Sequence, residues 1–103
     1  MSAVGGNVIR HVVITGRVQG VGYRAWTEYT ALDHGLDGWV RNRRDGTVEA
    51  LFSGPSHAVA DMIEACRRGP PSARVDAVDA RDATAAELAV RRPGESFSQL
   101  PTV

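Results

Sequence analysis

The sequence predicts a single α+β domain in which two helices lie on one face of an antiparallel sheet. Strand-like apolar runs and amphipathic helical stretches follow one another in the order β-α-β-β-α-β. A chain of 103 residues has enough surface to bury for one core. This order is that of the ferredoxin-like sandwich. We therefore treat residues 1–103 as one domain, with a core at about 7–92 and a tail, 93–103, that either packs as an irregular arm or frays.

The first strand and the first helix are predicted from local composition. Residues 7–15 are rich in β-branched side chains and predict a strand. Residues 24–33 predict a helix that Gly35 ends. Spacing of i, i+4 and i+7, with Trp26 beside it, predicts that the buried face of this helix consists of Ala25, Tyr29 and Leu32.

A hairpin follows the first helix. Residues 36–42 and 47–53 predict two strands, and Asp45-Gly46 between them is a hairpin signal. Alternation along the first of these strands places Val40 and Asn42 on one face and Trp39 and Arg41 on the other.

The second half of the chain predicts a helix and a last core strand. The helix starts at Gly54-Pro55, and Gly69 ends it. Residues 74–82 predict strand four, and residues 87–91 a short additional strand that Pro93-Gly94 ends. The apolar stripe of the helix consists of Val59, Met62, Ile63 and Cys66.

Composition excludes several classes of function. The formal net charge is zero, which argues against a broad nucleic-acid or membrane footprint. All 12 cationic residues are arginines. No apolar run approaches the roughly 18 residues of a membrane span, and residues 1–7 lack a signal-peptide core. Cys66 is the only cysteine, which excludes an intramolecular disulfide. We expect a cytoplasmic protein.

A glycine-rich stretch, residues 16–24, joins the first strand to the first helix. Glycines let the backbone approach a ligand, and the free N–H groups of a helix N-terminus favour an anion. Arg24 adds a planar cationic fork that suits a phosphate or a carboxylate. The spacing fits neither a Walker A loop nor G-x-G-x-x-G. A plain connector stays an alternative at this point.

The predicted topology brings Asn42 to the same place. Strands one and two are parallel in this arrangement, so their C-terminal ends share one edge of the sheet. The amide of Asn42 can accept from and donate to a water there. The three histidines fit structural positions better than catalysis. His11 fits a packed or surface position in strand one, His34 a capping position at the helix end, and His57 an exposed position. No metal cluster is evident.

Two stretches resemble the signatures of the acylphosphatase family. Residues 16–24, Gly-Arg-Val-Gln-Gly-Val-Gly-Tyr-Arg, are similar to the first signature. Residues 38–42, Gly-Trp-Val-Arg-Asn, with Asp45-Gly46, Val48-Glu49 and Gly54 after them, are similar to the second. The order and separation of the two also match, and the resemblance covers roughly residues 8–82.

The resemblance implies metal-free and cofactor-free hydrolysis of the carboxyl–phosphate bond of acyl phosphates, with inorganic phosphate as a product. We expect a monomer. The resemblance also implies that Arg24 binds the phosphoryl group and that Asn42 orients the attacking water. The phosphate-binding residues carried over by position are Gln19, Gly20, Val21, Gly22, Tyr23 and Arg24.

Two departures from the family pattern stand out. Tyr23 replaces the more usual phenylalanine, so its hydroxyl needs a partner or solvent. The usual C-terminal aromatic-x-aliphatic strand has only a weak substitute in Leu88-Ala89-Val90.

The same fold also allows two other functions. One is a non-catalytic anion-binding or regulatory module, since fold does not fix function. The other is an RNA-binding domain, for which exposed aromatics on the central strands are expected. Strand one has no aromatic residue and strand three has only Phe52.

Overall fold

The computed structural model describes residues 6–103, which form a five-stranded sheet with two helices packed on one face. The strand order across the sheet is β4-β1-β3-β2-β5. No helix in this part of the chain is long and apolar enough to cross a membrane. The elements are β1 (Asn7–Arg17), α1 (Tyr23–Asp33), β2 (Asp37–Asn42), β3 (Val48–Pro55), α2 (Ser56–Cys66), β4 (Arg74–Asp82), α3 (Ala85–Leu88) and β5 (Phe97–Gln99).

The sheet topology confirms the predicted α+β fold. Strand β3 is central and pairs antiparallel with both β1 and β2, so β1 and β2 run in the same direction. Val48 lies opposite Ile14 on one side and opposite Asn42 on the other. The C-terminal end of β2 therefore lies level with Ile14, three residues before β1 ends and the glycine-rich loop begins.

The main core lies between the sheet and the two long helices. Val12, Val40 and Phe52 point to this side and are fully buried. For Val40 this agrees with the predicted alternation. Helix α2 contributes Met62 and Cys66, both with no exposed surface. Burial raises the pKa of the Cys66 thiol to about 12, so Cys66 is a small core residue rather than a reactive thiol.

The predicted buried face of α1 is wrong. Tyr29 is 74% exposed and Leu32 is 47% exposed, whereas the buried residues of the helix are Tyr23, Thr27 and Ala31. The helix starts at Tyr23, whose ring sits in the core and fixes the rotation of the helix. A buried threonine is tolerated because the Thr27 hydroxyl donates to the carbonyl of Tyr23, at 2.8 Å.

The strand predicted over residues 87–91 is also wrong. Thr84 and Glu87 form a capping box that starts the short helix α3 instead. This segment covers the sheet face opposite the long helices, where Trp39 and Leu51 form a second small core with Leu100. The Trp39 indole Nε1–H donates to the carbonyl of Glu87 at 2.9 Å, which fixes the segment to the sheet.

The tail packs against β2 and does not fray. Strand β5 pairs in parallel with β2 and makes the sheet mixed. The pairing continues beyond it, because the Leu100 N–H donates to the carbonyl of Val40 at 2.9 Å. The Val103 N–H donates to the carbonyl of Asn42 at 3.1 Å. The tail thus pairs with the outer edge of β2 as far as Asn42, the residue that the sequence predicts to lie near the glycine-rich loop.

Candidate active site

The loop between β1 and α1, residues 18–22, contains two glycines with left-handed backbone. Gly20 and Gly22 have φ angles of 73° and 82°, in the left-handed region that favours glycine. A Cβ at either position would meet no atom within 4 Å, so backbone conformation and not crowding requires glycine here. The loop is anchored by the buried side chain of Val18. Space in front of the two glycines is therefore open to a ligand.

The N-terminus of α1 is uncapped. Gly22 occupies the cap position and provides no side-chain hydrogen bond, and the first turn contains no acidic residue. Within residues 6–103, the N–H groups of residues 19–24 donate to no backbone carbonyl. These N–H groups and the helix dipole together favour an anion in front of the loop.

Arg24 is the second residue of α1 and is half-buried. Its guanidinium forms no ion pair with a carboxylate of the described chain. A half-buried guanidinium retains its charge and its five N–H donors. Arg24 is therefore available to an anionic ligand.

Asn42 is the last residue of β2. Its Oδ1 is buried and has no hydrogen-bond partner, the one buried side-chain polar atom in this state among residues 6–103. A buried acceptor without a partner costs roughly 1–3 kcal/mol. Asn42 has the same strand parity as Val40, which faces the helices, so its side chain is on the side of α1. Such an atom is suited to a water or a substrate group.

Gln19 joins the loop to the turn that follows Asn42. Its side-chain Nε2 donates to the carbonyls of Arg43 and Thr47, at 2.7 and 2.8 Å. The sequence pointed only to the backbone amide of Gln19, and this side-chain contact was not predicted from it. One signal in the sequence could have indicated this contact. Gln19 is a polar residue next to the glycines, and the predicted hairpin turn lies at the same edge of the sheet.

Tyr23 contributes its side chain to the core rather than to the site. Its hydroxyl donates to the carbonyl of Cys66 at 2.7 Å, and its ring packs against Trp26. A Cβ at Gly69 would lie 2.6 Å from the ring, so glycine there makes room for the tyrosine. Burial and, next, the neighbouring Cys66 raise the pKa of the Tyr23 hydroxyl far above its ordinary value. The hydroxyl thus has the partner that the sequence required.

We expect Tyr23→Phe to destabilise the protein and to leave activity intact. The Cys66 carbonyl would lose its hydroxyl partner at the end of α2, a loss of roughly 1–3 kcal/mol for a buried acceptor. Urea unfolding measures the difference in stability between the two proteins. Their kcat/KM values, measured on the same samples, should be equal. A large loss of activity with unchanged stability would place the hydroxyl in the site instead.

His11 lies on the other face of the sheet, away from Asn42. Its Nε2 is 2.6 Å from Oε2 of Glu49, and Arg41 Nε donates to Oε1 of the same carboxylate at 2.7 Å. Burial alone would raise the pKa of Glu49, but the hydrogen bonds from Arg41 and His11 outweigh it and lower the pKa. Residues 6–103 contain no group of three or more His, Cys, Asp or Glu side chains arranged to hold a metal ion.

The other two histidines occupy the predicted positions. His34 caps the C-terminus of α1, with Nδ1 2.8 Å from the carbonyl of Thr30. His57 is exposed in the first turn of α2. No histidine is therefore placed beside the loop.

We expect Glu49→Gln to cost about 2 kcal/mol at pH 7, the scale of hydrogen bonds to a charged group. The native pKa is lowered, so the contribution is complete above the ordinary glutamate pKa of about 4.3 and is lost as the pH falls through the native pKa. The difference in unfolding free energy between the natural protein and Glu49→Gln, measured with urea, should therefore shrink as the pH falls. The exposed pair Glu64–Arg67 provides the control: Glu64→Gln should change stability by less than about 0.5 kcal/mol. A free-energy difference between the natural protein and Glu49→Gln that grew in acid would contradict this role of Glu49.

Comparison with known proteins places the chain in one family. The family model described as Acylphosphatase matches residues 10–92. An acylphosphatase from Bradyrhizobium diazoefficiens is 65% identical over 92% of this chain and 96% of its own length. The crystal structure of acylphosphatase from Bacillus subtilis has a TM-score of 0.77 and 33% identity over 90% of this chain and 98% of that one. The structure of an acylphosphatase from Coxiella burnetii has a TM-score of 0.80 and 28% identity, and the match covers 91% of this chain and 93% of that one.

Proposed function

The chain belongs to the acylphosphatase family and hydrolyses acyl phosphates, and from this premise we propose how its residues divide the work. Arg24 and the amides of residues 19–24 bind the phosphoryl group. Asn42 orients the water that attacks it. No metal ion or cofactor takes part. The products are a carboxylate and inorganic phosphate.

Phosphoryl binding by the loop is supported by its donors. The uncapped N-terminus of α1 offers N–H groups that have no backbone acceptor among residues 6–103, and Arg24 offers a charged fork beside them. Charge on a transferring phosphoryl group spreads over its equatorial oxygens, and several converging donors meet this charge without reorganisation. A metal ion is coordinated by oxygen, nitrogen or sulfur atoms with a free lone pair, whereas the loop amides and Arg24 present N–H groups.

The assignment of the water to Asn42 depends on one observation, the buried Oδ1 without a partner. Oδ1 can accept a hydrogen bond from a water, and Nδ2–H₂ of the same amide can donate to an oxygen beside it. An amide of this kind fixes the direction of the water lone pair toward phosphorus. The reaction gains from positioning alone, because the amide does not titrate.

The chemistry needs little acid or base help from the protein. The leaving group is a carboxylate, which is stable at neutral pH without protonation. The proton of the attacking water can pass to a phosphoryl oxygen of the substrate itself. His11 is a poor alternative base, because it lies on the opposite sheet face and is engaged with Glu49. The pH dependence of turnover is therefore expected to follow the ionisation of the substrate.

Hydrolysis of benzoyl phosphate in excess EDTA tests this mechanism. We expect turnover that EDTA does not lower and a pH profile without a limb near the ordinary histidine pKa of about 6.5. Activity that EDTA removed and Mg²⁺ restored would overturn the metal-free part. A folded protein that bound phosphate without turning over would instead be the anion-binding module.

We also propose that the protein works as a monomer in the cytoplasm. The loop, Arg24 and Asn42, to which we assign the whole reaction, belong to one chain. The single cysteine is buried in the core, a state that a reducing compartment suits. Light scattering on the eluted peak of a gel-filtration run should give the mass of one chain. A mass of two chains would overturn the monomer.

A further inference from the structure

We propose that the side chain of Gln19 is a positioning residue that sets the distance between the phosphate loop and Asn42. This inference rests on the proposed function, since it concerns how the two halves of that site are aligned. The side chain of Gln19 is not itself proposed to contact the phosphoryl group or the attacking water. It acts through the turn that follows Asn42.

The geometry uses every donor that the side chain has. Nε2 donates one hydrogen to the carbonyl of Arg43 at 2.7 Å and the other to the carbonyl of Thr47 at 2.8 Å. Gln19 is half-buried, so these bonds are shielded from competing water. The two carbonyls flank the β2–β3 turn, and Gln19 fits between them.

The turn does not need Gln19 to form. The Arg43 N–H already donates to the carbonyl of Thr47 at 2.9 Å, and the Gly46 N–H to the carbonyl of Arg43 at 3.1 Å. Both carbonyls therefore keep a partner without Gln19. Asp45 Oδ1 also accepts from the N–H and the hydroxyl of Thr47, at 3.0 and 2.7 Å. What Gln19 adds is the placement of the turn relative to the loop.

The placement matters because the two halves have different tasks. The backbone of Gln19 leads into Gly20 and Gly22, where the phosphoryl group is held, and Arg43 directly follows Asn42, which holds the water. Among residues 6–103, no other side chain of the loop, residues 18–22, forms a hydrogen bond with the turn, residues 43–47. One side chain thus spans both halves of the site.

The experiment compares Gln19→Met with a matched control, Gln99→Met. Methionine keeps the length of glutamine and lacks the amide donor. Gln99 is also half-buried and donates to Glu28 at 2.8 Å, away from the turn. A misplacement of about 1 Å can cost roughly 100-fold in rate, so we expect kcat of Gln19→Met to fall by about 10- to 100-fold. The control should keep kcat.

The binding constants separate positioning from substrate binding. We expect KM and the inhibition constant of inorganic phosphate to change by less than about 3-fold in Gln19→Met, because the loop amides and Arg24 remain. Gln19→Glu should lose at least as much kcat, since an ionised carboxylate cannot donate to two carbonyls. Urea unfolding of each variant establishes that the comparison is between folded proteins.

The double variant Gln19→Met/Asn42→Ala gives the decisive comparison. If Gln19 acts through Asn42, the double variant should be no slower than Asn42→Ala alone. Multiplied losses, an unchanged kcat in Gln19→Met, or a loss confined to phosphate affinity would each overturn the inference. If Asn42→Ala itself kept full turnover, the proposed function would fail. If Asn42→Ala lost turnover and Gln19→Met did not, the inference about Gln19 alone would fail.

Discussion

Arg24→Ala is expected to lower kcat/KM for an acyl phosphate by about 10³-fold or more, the scale seen when a principal transition-state donor is removed. The guanidinium forms no ion pair with a carboxylate of the described chain. Its loss therefore falls on the ligand rather than on a structural partner. Steady-state kinetics with benzoyl phosphate measure the effect. Inorganic phosphate should also inhibit at least about 100-fold more weakly, since hydrogen bonds to charged groups contribute roughly 1.5–3 kcal/mol each.

Two further variants show whether charge or geometry is responsible. Arg17→Ala removes an equal charge from an exposed arginine at the end of β1, next to the same loop. It should change kcat/KM by no more than a few-fold, because an exposed charge is screened. Arg24→Lys keeps the charge and loses the planar fork, so it should recover only part of the activity. Normal turnover in Arg24→Ala would remove Arg24 from the mechanism.

Asn42→Ala is expected to lower kcat by about 10²- to 10³-fold, as the removal of one preorganised amide does elsewhere. The phosphate site would remain, because the loop amides and Arg24 are untouched. The inhibition constant of phosphate should therefore stay within about 3-fold of its original value. Stability should not fall sharply, since Oδ1 has no partner to lose among residues 6–103. Single-turnover kinetics and a phosphate titration measure the two parts.

The other asparagine of the chain provides the control for this variant. Asn7 is exposed at the start of β1, at the opposite end of the strand from the loop. Asn7→Ala should leave kcat and phosphate inhibition unchanged. A loss of phosphate affinity in Asn42→Ala as large as that in Arg24→Ala would contradict the division of roles. In that case Asn42 would act as a phosphate ligand.

The candidate site could be predicted in large part because its signals are local. The glycines at positions 20 and 22 follow a strand and precede a helix, which by itself indicates an anion site at a helix N-terminus. The return of Asn42 to the loop follows from helix rise and strand rise, and the register opposite Val48 confirms it. The Gln19 side chain could not be assigned this way, because its acceptors are carbonyls of residues 24 and 28 positions further along the chain.

The sequence by itself determined the order of the six main elements, the two faces of β2, and the end of the sheet at which the loop and Asn42 lie. Those features depend on periodicity and turn chemistry, which act over a few residues. Only the tertiary structure decided which face of α1 is buried and where the last strand lies. Two stripes of α1 have helical spacing, and the Tyr23 ring, seated against Gly69 and the Cys66 carbonyl, selects the one with less apolar surface. Strand β5 exists because Gly38 and its neighbours offer a free edge of β2 about 60 residues away, and no local pattern encodes a partner at that distance.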